Sequence, residues 1–73
     1  MPKLPILSGK EVIKKLENSG YQIVRQKGSH VRLINIDSTR KPITVPLHPE
    51  IKPGLLRRII KDAGISLEEF INF

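Results

Sequence analysis

The sequence contains no cysteine and no tryptophan, and its only aromatic residues are Tyr21, Phe70 and Phe73. Without cysteine, neither a disulfide nor a thiolate–metal site can staple a chain this small. Two histidines alone fall short of the ligand set of a structural zinc centre. Clustered carboxylates, which a two-metal nuclease needs, are missing too, and so is a phosphate-loop motif. Three aromatics are too few for a sheet that stacks bases, so any grip on nucleic acid must be electrostatic and salt-sensitive. No apolar run approaches the roughly 20 residues that span a bilayer. The opening MPKLPILSGK is too short and proline-rich for a signal peptide. These two absences favour the cytoplasm.

What is present is aliphatic and basic. The length, 73 residues, predicts a single domain over 1–73. A domain of this size buries only about 60% of its unfolded surface, so its core has to come from Ile, Leu and Val. The formal net charge is +6 and the pI near 10.1, and the excess is localised. Residues 21–36 hold Arg25, Lys27 and Arg32 and no acid at all, whereas residues 50–73 set Lys52, Arg57, Arg58 and Lys61 against Glu50, Asp62, Glu68 and Glu69. A clustered basic face points to a polyanion, nucleic acid ahead of an acidic protein.

Local signals predict the element order α-β-β-β-α-α. Ser8 and Glu11 form a capping box, with Leu7 and Val12 spaced as a hydrophobic staple, and Gly20 is a stop. A helix is expected from about 9 to 19, with Val12, Ile13 and Leu16 as its apolar stripe. YQIVRQ (21–26), HVRLINI (30–36) and PITVPL (42–47) read as three strands of an antiparallel meander, separated by the turns KGS and DSTRK. Ile23 and Val24 compete for the inward side of the first strand, and the alternation leaves that register open. Pro53 suits a first helical position, Leu55, Leu56, Ile59 and Ile60 make a second stripe, and Gly64 ends it. Ser66 and Glu69 cap a short last helix carrying Phe70 and Ile71. The expected fold is α+β, a double-stranded-RNA-binding-like sandwich whose three-stranded antiparallel sheet is covered by helices on one face.

The stretch RQKGSHVRL (25–33) is the strongest chemical candidate. The Gly28–Ser29 turn offers backbone amides to a phosphate oxygen, beside Arg25, Lys27 and Arg32. His30 follows at the rim of the sheet, where a neutral imidazole could take a proton from a ribose 2′-OH or from water. The plainer alternative is that His30 merely begins a strand. His48, between two prolines in the approach to the second helix, is an auxiliary proton-transfer candidate, with a plain hydrogen-bonding role in that loop as the stronger alternative. Arg57, Arg58, Lys61, Lys10, Lys14 and Lys15 touch a polyanion or form a solvated helix face. Ser29 has no base at triad-like spacing.

Taken in order, LSGKEVIKKLENSGYQIVRQKGSHVRL and ITVPLHPEIKPGLLRRIIKDAGISLEEF resemble the HicA family of messenger-RNA interferase toxins. The matching features are S-G-K-E, R-x-x-G-S-H, V-P-x-H, P-G-L-L-R-x-I-I-K-x-A-G and S-x-E-E-F, over about residues 5–72. The chain departs from the family pattern at Val31 and at Pro49-Glu50, and neither departure touches His30. The resemblance implies the same sandwich fold and ribonucleolytic cleavage of messenger RNA without metal or cofactor. It makes His30 the catalytic histidine and a HicB-like antitoxin the partner that masks the site. A non-catalytic RNA-binding module on the same fold, or a protein that only docks an acidic partner, are the rival expectations.

Overall fold

The computed structural model describes residues 3–73. Its elements are α1 (Gly9–Asn18), β1 (Tyr21–Lys27), β2 (His30–Asn35), β3 (Ile43–Pro46), α2 (Pro53–Ala63) and α3 (Leu67–Asn72). The three strands form one antiparallel sheet in the order β1-β2-β3, as the α+β reading expects.

The helix ends are set locally. In α1 the Ser8 hydroxyl accepts from the Glu11 N–H (3.2 Å), while the Glu11 carboxylate accepts from the Ser8 N–H (2.9 Å). The same reciprocal pair, Ser66 with Glu69, opens α3. Each box satisfies two amides that a helix start would otherwise leave orphaned. These hydrogen bonds from the Ser8 and Ser66 backbones are also the main reason both carboxyls titrate below the usual carboxylate range. At the far end of α2, Gly64 takes the left-handed conformation (φ 70°) that a side chain would resist.

All three helices lie on one side of the sheet. Val12 and Leu16 of α1, Leu56 and Ile59 of α2 and Phe70 of α3 meet Val31, Leu33, Ile43 and Val45 in a single aliphatic core. Two cross-chain bonds bring α3 onto α1: the Lys15 ammonium donates to the Ile71 carbonyl (2.9 Å), and the Asn18 side chain donates to the Phe73 carbonyl (2.8 Å). Lys15 also stands 5.9 Å from the Phe70 ring centre. Lys15 is therefore half-buried and structural, not part of a solvated face. Tyr21 is buried, and its hydroxyl donates to the Lys41 carbonyl (2.7 Å). Burial pushes its phenol above its usual value.

The other side of the sheet is open. Along β2, Val31, Leu33 and Asn35 are buried and His30, Arg32 and Ile34 are exposed. This strict alternation puts the second set on the uncovered face. No helix among the described residues is long and apolar enough to cross a membrane.

Candidate nucleic-acid interface

The residues of the basic stretch come together through strand register. Lys27 pairs with His30 and His30 with Pro46, forming one rung across the three strands. Arg25 pairs with Arg32 and Arg32 with Thr44, forming the next rung on the same face, with the Gln26–Val31–Val45 rung between them facing the core side. Directly opposed residues on one face of a sheet have Cβ atoms about 5 Å apart. The exposed His30 is thus flanked by Lys27, with Arg25 and Arg32 on the next rung of that face.

A bulge makes this grouping possible. In a regular strand Tyr21, Ile23, Arg25 and Lys27 would all share the face on which Tyr21 is buried. The register instead shifts between Ile23 and Arg25, so that Ile23 opposes Leu33 and Arg25 opposes Arg32, with Val24 as the extra residue. From there on the strand's parity is reversed, and Arg25 and Lys27 reach the open face while Tyr21 stays in the core. The register gives the inward side to Ile23, opposite the buried Leu33, although Ile23 and Val24 both stay exposed.

The turn is tighter than the three residues KGS. Lys27 belongs to β1, and Gly28 and Ser29 alone connect the strands. Gly28 has φ 59° and Ser29 does not share its positive φ, the pattern of a type II′ hairpin turn with glycine first. A Cβ on Gly28 would meet nothing within 4 Å, so backbone conformation alone requires glycine, and the space above the turn is open. The Ser29 carbonyl accepts from the Leu47 N–H (2.6 Å), and the Gly28 carbonyl from the Gln26 side chain (3.1 Å). Among the described residues neither the Gly28 nor the Ser29 amide has a protein acceptor, which leaves both free for an anion.

The Ser29–Leu47 bond brings the segment after β3 to the same end of the sheet. His48 lies there, exposed, and its carbonyl accepts from the Gly9 N–H (2.9 Å) at the start of α1. The approach is so close that a Cβ on Gly9 would run into the Pro46 carbonyl oxygen and lie 2.9 Å from the Leu47 Cα. His48 therefore secures α1 through its backbone, and its side chain is exposed.

Two residues escaped the sequence reading. Thr44 accepts from the Arg32 guanidinium (3.4 Å), and only strand pairing reveals it. Lys41, placed in a turn by sequence, joins Arg57, Arg58 and Lys61 in a groove. Tyr21 and Phe70 are buried, and the exposed Phe73 lies past α3 beside Asn18 of α1. No group of three or more His, Asp or Glu side chains gathers among the described residues. The arrangement can hold a phosphodiester on cations and free amides with an imidazole alongside.

A search of curated proteins gives no match. The family model for the HicA toxin of bacterial toxin-antitoxin systems matches residues 9–65, a span that takes in both rungs, the turn and His48.

Proposed function

The chain belongs to the HicA toxin family of bacterial toxin-antitoxin systems, and on that premise we propose that it is a metal-independent endoribonuclease that cleaves messenger RNA with His30 as its single catalytic histidine. Membership makes the chain the toxin of such a system and implies a cognate antitoxin. In our reading that antitoxin is HicB-like and masks the His30 face, and the pair works in the cytoplasm.

The observation that carries the proposal is the rung Lys27–His30 beside the rung Arg25–Arg32, exposed on the uncovered face of the sheet. The scissile phosphate rests on the Gly28 and Ser29 amides and the Lys27 ammonium. Arg25 and Arg32 hold neighbouring phosphate oxygens, and Thr44 steadies Arg32. His30 takes the proton from the ribose 2′-OH as the 2′ oxygen bonds to phosphorus. The cations stabilise the charge that builds on the equatorial oxygens. The bond from phosphorus to the 5′ oxygen then breaks, and that oxygen takes a proton from water, with His48 as an auxiliary candidate donor. The products are a 2′,3′-cyclic phosphate and a free 5′-OH.

End-group analysis of RNA cleaved in EDTA tests this sequence of events. Cyclic phosphate ends are expected, and 3′-OH ends would exclude 2′-OH attack. RNA that is bound but left intact by antitoxin-free protein would favour the non-catalytic module.

A further inference from the structure

A second basic surface lies away from His30. Lys41, ahead of β3, joins Arg57, Arg58 and Lys61 of α2 and the half-buried Asp62 around an open groove of about 470 Å³. Arg58 and Asp62 form a loose ion pair (3.9 Å) one turn apart. Among the described residues Lys41, Arg57 and Lys61 have no carboxylate partner. Arg57 and Lys61 are also one turn apart, a like-charge spacing that destabilises a helix. These three cations without a carboxylate partner face one open space, a like-signed cluster that an anion would neutralise.

The chemistry of the lining selects the anion. Every lining residue is charged, and none is an apolar or aromatic anchor of the kind that carries the energy of a protein–protein contact. Two arginines and two lysines, with no apolar residue among the lining, suit a phosphate backbone. The groove also sits at a useful distance. β3 meets the His30 rung at Pro46 and the Leu33 rung at Ile43, and Lys41 lies two residues before Ile43. At about 3.3 Å per residue of extended chain, the stretch from Lys41 to Pro46 sets the groove's Lys41 at most about 17 Å from the His30 rung.

We infer that the Lys41–Arg57–Arg58–Lys61 groove is a second phosphate-backbone site for RNA, which holds a long strand while a distant phosphate lies at His30. The inference rests on the RNA reading proposed above. It explains why α2 keeps cations on its outer side although the His30 face lies elsewhere.

Binding to His30→Ala protein, which is expected not to cut, separates the two sites. A long unstructured RNA and a dinucleotide are titrated by fluorescence anisotropy across a range of salt, with and without the added pair Arg57→Gln and Lys61→Gln. Removing two phosphate contacts should make the slope of log K against log salt shallower by about 1.4 for the long RNA. The dinucleotide, too short to reach the groove, should be unaffected. Arg57→Lys alone keeps the charge and should keep the slope, which guards against a folding artefact. An unchanged slope with the long RNA overturns the groove site and leaves the nuclease proposal standing. An equal loss with both RNAs also overturns it, because the effect would not be local. If the pair weakens only binding of an acidic peptide, the groove is a protein site and the inference fails. If no RNA binds even to the parent protein, the RNA reading itself falls.

Discussion

The two faces of this sheet are built from the same strands under opposite rules. On the covered face, Val31 and Leu33 meet Phe70, Leu56 and Leu16, and the buried Asn35 spends its side chain on the Gly20 carbonyl (3.4 Å) and the Thr39 hydroxyl (3.2 Å). On the open face, between Val31 and Leu33 along β2, Arg32 stands directly opposite Arg25, and two amides of the turn have no protein acceptor among the described residues. Like charges placed opposite each other in a sheet are destabilising. One face is satisfied within the protein, and the other leaves its charges and amides to solvent or to a ligand.

Mutations should treat the faces differently. The largest loss belongs to the covered side: Phe70→Ala empties the centre of the core and should cost about 3–5 kcal/mol, a large share of what a small domain has. A urea melt would show it, and an unchanged midpoint would mean that α3 does not close the core. Gly28→Ala comes next, at about 1–2 kcal/mol for an L-residue held at positive φ. Gly28→Asn should recover part of that loss in the same melt.

Removing a helix cap with Ser8→Ala or Ser66→Ala should cost about 1 kcal/mol each. The caps are also linked to pH. The folded carboxyls of Glu11 and Glu69 titrate below the usual range, so their contribution is full above the ordinary carboxylate pKa and fades as pH falls through the lowered values. Glu11→Gln with Glu69→Gln keeps the capping geometry and should flatten the acid limb of melting temperature against pH. The smallest effect has the opposite sign. Arg25→Thr relieves the Arg25–Arg32 repulsion and should raise stability by about 0.2–1 kcal/mol, a few degrees in melting temperature, while the salt slope for RNA falls by about 0.7. A variant that lost stability and kept its RNA affinity would erase the distinction between the faces.

The covered face was easier to read from sequence than the open one, and the reason is range. Ser8-x-x-Glu11, Ser66-x-x-Glu69 and Gly64 act within a few residues, so all three helices and their ends were apparent at once. The basic cluster around His30 was apparent as composition, because residues 21–36 contain no acid. Its geometry was not. The side to which Arg25 and Lys27 point depends on the bulge at Val24, and a bulge exists only relative to the partner strand. The uneven Ile23–Val24 pattern was its one trace. Lys15 looked like a solvated lysine because its acceptor, the Ile71 carbonyl, lies 56 residues away. Lys41 joins the α2 cations only through the return of the chain along β3.

The central claim is that His30, on the open basic face, performs the cleavage. Wild type and His30→Ala, prepared in parallel free of antitoxin, should be incubated with unstructured RNA in EDTA. A positioned acid–base group contributes typically 10²–10⁴-fold, so the variant should bind RNA as before, melt at the same temperature and cut at least about 100-fold more slowly. Equal cleavage by both proteins, or none by either, would contradict the account.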